Sequence, residues 1–392
     1  MLPYLGRVSR RLYWLVLGIA LLAGVGVGAG VAAMRSFGAP RARQSPGQAV
    51  GDPRLDPGTP LQGRAPGFTL TDQFGKRVSL RSFRGKVVVV SFNDPKCTTI
   101  CPLTTTALLH AKELLGPAAS AVQLLGIEAN PAATQVKWVR NYSQAHGMTH
   151  RWRFLTGSLP ELKRVWKAYG IEAQVFRGQI DHTPATYVVD ARGRESRLYM
   201  TEMAYSSVPQ LGYEIAQSIA ALLPGHPRLH GNPPLTAIRI LGPRTPVTLP
   251  RAGGGTVRLG PGSGPHLVLF FDTWESEVSD LSSRLEALNR YQSIAARKKL
   301  PPLVAVDEGV VERSPRALPR FLRSLPQPLA YPVAVDGSGR VGDGYRVHNS
   351  PWLELISSSG RFLFYEDLGS NGWPSLRSLL HRVQVGLARA KG

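Results

Sequence analysis

The order of apolar runs constrains this 392-residue chain more than any other feature. Phe68-Thr69-Leu70 and Val78-Ser79-Leu80 flank a glycine turn and read as a hairpin. Lys86–Phe92 is an apolar run fit for a strand buried on both faces. A helical stretch follows from about Pro102 to Leu115, then a strand at Val122–Ile127 and helices at Ala132–Ala145 and Leu159–Tyr169. Thr186–Asp190 and Glu195–Met200 read as a second hairpin about Arg192-Gly193, and Pro209–Leu223 as a closing helix. The order then returns: Val257–Leu259, a strand at His266–Phe271, a helix over Val278–Arg297, a strand at Leu303–Val306 and a helix at Ser314–Ser324. A hairpin of Trp352–Ile356 and Phe362–Tyr365 and a helix at Ser375–Ala388 end the chain. The repeat is one of pattern, with little residue identity between the halves.

Strands alternating with helices, then an antiparallel hairpin and a last helix, is the thioredoxin order. The predicted fold class is therefore α/β, with two thioredoxin-like domains, each a central mixed sheet flanked by helices. Ahead of them, Leu12–Met34 runs for 23 residues without a charge. A helix of ~20 residues spans a bilayer. Tyr13 and Trp14 suit the interface, and Arg7, Arg10 and Arg11 suit a cytoplasmic flank. The run is long for a cleaved signal peptide, whose apolar region is ~7–15 residues. We read it as an uncleaved single-pass transmembrane anchor in a bacterial-type inner membrane, with the rest of the chain periplasmic. Six prolines in residues 38–66 read as a linker. The expected organisation is residues 1–37, cytoplasmic N-terminus and anchor; 38–60, linker; 61–224, first domain; 225–236, linker; and 237–392, second domain.

A hydrophobic fraction of 43% and a mean hydropathy of −0.09 describe a globular chain, which excludes general disorder and a polytopic membrane protein. The net charge of +21 invites nucleic acid or an anionic membrane surface as partner. Its distribution argues against nucleic acid: residues 1–60 carry +5 and the segments 61–224 and 225–392 carry +8 each. There is no basic helix and no aromatic platform interleaved with basic residues.

Both cysteines of the chain lie in Asn93-Asp94-Pro95-Lys96-Cys97-Thr98-Thr99-Ile100-Cys101-Pro102, between the buried strand and its helix. Spacing of four there puts both sulfurs on one face of the helix entrance, where N–H groups favour thiolate. A packed, inert pair and a purely structural disulfide are the plain alternatives; the latter would close a very small loop and contribute little entropy. His182 stands in Asp181-His182-Thr183-Pro184, just before the strand Thr186–Asp190, where the thioredoxin order puts a cis-proline opposite the cysteines. Two thiolates and an imidazole suit copper. Zinc is the rival, although a structural zinc site takes a fourth protein ligand.

With these residues the sequence resembles the Sco/SenC copper-chaperone family over roughly residues 60–224. The anchor, Cys97-x-x-x-Cys101-Pro102, Asp181-His182 and Trp166-Lys167-Ala168-Tyr169-Gly170 carry the resemblance. It implies that Cys97, Cys101 and His182 bind one copper ion, with Asp181 tuning the imidazole. It also implies a client, the copper-binding subunit of cytochrome c oxidase, whose dinuclear copper centre the family supplies with copper or keeps reduced. The protein is then a metallochaperone rather than an enzyme. The alternative is an extracytoplasmic thiol–disulfide oxidoreductase using Cys97 and Cys101, and a third reading is a non-catalytic interaction protein. Pro184 departs from the family pattern, where an aliphatic residue is common.

His146 and His150, at i, i+4 spacing, and the pair Met200 and Met203 are lesser metal candidates, read first as surface and core residues. Neither cysteine has the Pro-x-x-x-Thr-x-x-Cys setting of a peroxiredoxin. The second block has no thiols. Its Asp272–Val278 turn resembles the Trp-Cys-x-x-Cys turn of anchored thioredoxins, with Glu275 and Val278 in the cysteine positions and Ser350-Pro351-Trp352 as the cis-proline turn. That block reads as a docking domain or as a degenerate repeat that stabilises the first.

Overall fold

In the computed structural model the described residues are 58–176, 179–231 and 239–391. The proposed anchor at residues 12–34 lies outside them. Among the described residues no helix is long and apolar enough to cross a membrane.

The first sheet has eight strands. In chain order they are β1 (Thr59–Pro60), β2 (Thr69–Asp72), β3 (Arg77–Ser79), β4 (Val87–Asn93), β5 (Val122–Glu128), β6 (Arg153–Thr156), β9 (Ala185–Val189) and β10 (Glu195–Met200), and they lie in the order β1-β10-β9-β4-β5-β6-β2-β3. The intervening β7 (Ala173–Phe176) and β8 (Gln179–His182) form a separate hairpin. β4 runs parallel to β5 from Val87↔Val122 to Asn93↔Glu128 and antiparallel to β9. A right-handed helical crossover is the usual way to join such parallel neighbours, and α1 (Ile100–Leu115) makes it.

β4 is buried along its whole length. Its alternate residues serve two cores: Val87 and Val89 face one, and Val88, Val90 and Phe92 the other. The second core is closed by α3 (Leu159–Ala168), which follows α2 (Val136–Ala145). The first is closed by α1 and α4 (Val208–Leu222). Those two helices cross closely at Gly212, where a Cβ would come within 2.8 Å of the Ala107 carbonyl oxygen. This half is a mixed α/β thioredoxin-like fold.

The second half holds the hairpin β11 (Val247–Pro250) and β12 (Thr256–Leu259), then a five-stranded sheet. The sheet is built of β13 (His266–Phe271), β14 (Leu303–Asp307), β15 (Val333–Val335), β16 (Trp352–Ile356) and β17 (Phe362–Asp367), in the order β15-β14-β13-β16-β17. β13 is parallel to β14 and antiparallel to β16, as β4 is to β5 and β9. Leu267, Leu269 and Phe271 face α5 (Leu281–Lys298) and its neighbours, while Val268 and Phe270 belong to the same apolar cluster as α1 and α4 of the first half.

The two sheets therefore share a core, and the described residues form one compact unit. Polar contacts reinforce the junction. In α7 (Arg340–Gly344, following α6 at Ala317–Ser324), Asp343 accepts the backbone N–H groups of Tyr205 at 2.7 Å and Ser206 at 3.0 Å. Arg313 donates to the Gln144 carbonyl and pairs with Glu277.

Several boundaries differ from expectation. The helix expected from Ala132 starts at Val136, because Asn130–Ala133 forms a turn in which Asn130 Oδ1 accepts the Ala132 N–H. The helix expected from Val278 starts at Leu281, after a short 3-10 turn at Thr273–Glu277. The cis peptide among the described residues is Ser350–Pro351, as expected for the second half; Thr183–Pro184, expected to be cis, is not.

Replacing Asp343 by Ala leaves two interfacial N–H groups without their charged acceptor. Loss of such bonds costs about 1–3 kcal/mol. Urea unfolding of Asp343→Ala is expected to show this loss in a single transition, since the core is shared. Unchanged stability, or two separated transitions with the second half alone affected, would contradict the shared-core description.

Candidate metal and thiol site

The end of β4 sets the site. Asp94 Oδ1 accepts the Lys96 N–H at 2.8 Å and the Asn130 amide at 2.8 Å, and Asp94 O accepts the Cys97 N–H at 3.1 Å. This turn delivers Cys97 to the mouth of α1. Thr99, at the N-cap, makes no side-chain capping bond. The Cys97 sulfur takes that place: it accepts the N–H groups of Thr99 and Cys101, each at 3.4 Å, and touches Thr99 Oγ1 at 3.2 Å. Cys101, one residue into the helix, is 1% exposed and accepts the Asp94 N–H at 3.4 Å.

The two sulfurs differ in acidity. The Cys97 thiol is lowered to about 7, chiefly because Cys101 donates to its sulfur, with Thr99 and the Cys101 N–H adding to the effect against burial. Burial pushes the Cys101 thiol well up, and its bond to Cys97 adds to the rise. Cys97 is half-buried, so the acidic sulfur is also the accessible one.

His182, at the end of β8, comes to the same place across 81 residues: its Nε2 lies 3.4 Å from the Cys101 sulfur. Nδ1 lies 3.2 Å from the Thr183 carbonyl oxygen. A carbonyl only accepts, so the proton belongs on Nδ1 and the Nε2 lone pair faces the sulfur. Burial lowers the pKa of His182, favouring the neutral ring, while the charges of Asp94 and Asp181 oppose it. The Thr183 carbonyl, rather than the expected Asp181, thus takes the far nitrogen.

All three sequence candidates are brought together, with Cys101 in contact with both partners. Among the described residues no set of three or more His, Cys, Asp or Glu side chains yet stands at metal-holding geometry. The donor chemistry nonetheless fits a soft ion: two thiols, one poised to ionise, and a neutral imidazole with a free lone pair.

The lesser candidates separate. His146 lies just past α2, its ring 4.1 Å from Tyr142 and 4.4 Å from Trp274, and burial, with the Arg313 charge, lowers it to about 3. His150 is instead stacked on Phe74, with centroids 5.8 Å apart. Met200 packs against one core of the first half and Met203 against the other.

Sequence reasoning missed what lies over Cys97. A cavity of about 790 Å³ separates the cysteine turn from the second half, lined by Cys97, Trp138 and His146 on one side and by Trp274, Pro351 and Trp373 on the other. Glu275, in a position expected to match a redox cysteine, is 2% exposed at this boundary, and burial raises its pKa; Val278 is 53% exposed.

The SCO1/SenC family model matches residues 59–211. An SCO1 protein homolog of Bacillus subtilis is 27% identical over 146 residues, which is 36% of this chain and 75% of that protein. A chloroplastic peroxiredoxin Q of Oryza sativa subsp. japonica is 30% identical over 135 residues, 34% of this chain and 56% of that protein. The solved structure of Arabidopsis thaliana ScoI with copper bound is 22% identical, spans 41% of this chain and 99% of its own, and has a TM-score of 0.36.

Alkylation by iodoacetamide is expected to rise with pH about a midpoint near 7, because only the Cys97 thiolate reacts quickly. Cys101→Ala removes the strongest stabilising donor and moves that midpoint up; Cys97→Ala removes the fast phase. A midpoint unmoved by Cys101→Ala would refute the assigned cause.

Proposed function

Because the SCO1/SenC family model matches residues 59–211, we propose that this chain is a membrane-anchored copper-binding protein serving assembly of cytochrome c oxidase. The observation that carries the reading is the meeting of His182 Nε2 with the Cys101 sulfur, beside Cys97. Copper is cargo here. Cys97 offers a thiolate near neutral pH, Cys101 yields its proton as the ion is taken, and His182 completes the set with Nε2. Three ligands leave room for a partner's ligand, so the ion can pass by shared thiolate ligation. The recipient is the subunit that holds the oxidase's dinuclear copper centre. In this proposal residues 12–34 anchor the chain and place its folded part outside the cytoplasm, and the second half is a thiol-free thioredoxin-like domain.

A second reading, thiol–disulfide exchange, is favoured by the unequal pair. An acidic, accessible Cys97 beside a buried, weakly acidic Cys101 is the arrangement of an attacking and a resolving thiol. The two readings divide on His182. Anaerobic titration of the reduced chain is expected to give one tightly held Cu(I), with affinity falling at least about tenfold in His182→Ala, the scale of losing an outer-shell partner. Equal affinity in His182→Ala, with thiol exchange intact, would leave the oxidoreductase reading in its place.

A further inference from the structure

We propose that Asn349, in the thiol-free half, is a positioning residue for the cysteine pair: it holds the turn between Cys97 and Cys101 through Thr98. Thr98 Oγ1 donates to Asn349 Oδ1 at 2.5 Å, across 251 residues. Asn349 is 5% exposed, and its amide is fixed on every side. Its Nδ2 donates to Asp367 Oδ1 at 2.8 Å and Ser370 Oγ at 3.1 Å, and its Oδ1 also accepts the Ser350 N–H at 3.0 Å. A carboxylate can only accept, so Asp367 fixes which end of the amide faces Thr98. Gly369 keeps the space open, since a Cβ there would lie 2.6 Å from Asn349 Nδ2.

Thr98 is the residue immediately after Cys97. Anchoring it limits the freedom of the turn while the Cys97 sulfur accepts the Thr99 and Cys101 N–H groups. The second half thus completes the site without a thiol of its own, and its Pro351 and Trp274 wall the cavity onto which Cys97 opens. The latch belongs to the dithiol arrangement, in which both cysteines are free. It serves the pair whether its task is copper or electrons, and rests on Cys97 and Cys101 being the working residues.

The test uses the full metal-free chain equilibrated with glutathione. Both thiols are oxidised as one glutathione disulfide is reduced to two glutathione thiols, and the S–S bond forms between Cys97 and Cys101. Thr98→Val and Asn349→Ala are each expected to shift this equilibrium about 3- to 10-fold toward the disulfide, the range of one hydrogen bond. The double variant should shift it no further than either single one, and Thr98→Ser should match the wild type. Thr98→Val carries the test should Asn349→Ala fold poorly. Single variants equal to wild type, or shifts that multiply in the double variant, would overturn the latch. A wild-type pair that never equilibrates with glutathione would remove the working-pair reading and the latch together.

Discussion

The site depends on one contact, that of the Cys97 sulfur with the N–H groups at the start of α1. A helix begins with N–H groups that lack partners, and here a thiol takes the role usually given to a serine or aspartate side chain. That choice ties a structural need to reactivity. The sulfur that caps the helix is also the one drawn toward ionisation, and the buried strand β4 fixes its position from behind. Cys101 and His182 then fall into place, one by helix geometry and the other by the return of the β7–β8 hairpin.

The second half changes what this site can meet. Its sheet shares apolar contacts with α1 and α4, so it cannot be treated as an appendage hung from a linker. Its own turn carries carboxylates and no thiol; Asp272 and Glu275 of that turn, and Glu308 just after β14, are buried with raised pKa values. Burial penalises the charged form, so such groups favour the protonated state. A turn of this kind cannot perform thiol chemistry, but it supplies a wall and, through Asn349, a polar anchor.

Much of this was legible in the sequence. Runs such as Lys86–Phe92 and His266–Phe271 identify strands buried on both faces, and the order of elements predicts both sheets. The meeting of the cysteines with His182 follows from that order. The shared core was not legible, because periodicity says that Val268 and Phe270 are buried but not what they pack against. The bond between Thr98 and Asn349 joins residues too far apart for any local pattern. Pro184 misled because the thioredoxin order suggested a cis bond, which occurs instead at Pro351. His146 and His150 share a spacing that requires a continuing helix, whereas α2 ends at Ala145.

The central claim is that one copper ion is held by both cysteines and His182 together. X-ray absorption at the copper edge of the Cu(I)-loaded chain tests it most directly. The account predicts two sulfur neighbours and one imidazole nitrogen, with the imidazole signature lost in His182→Ala. A copper shell without sulfur, or a spectrum unaltered by that substitution, would contradict it.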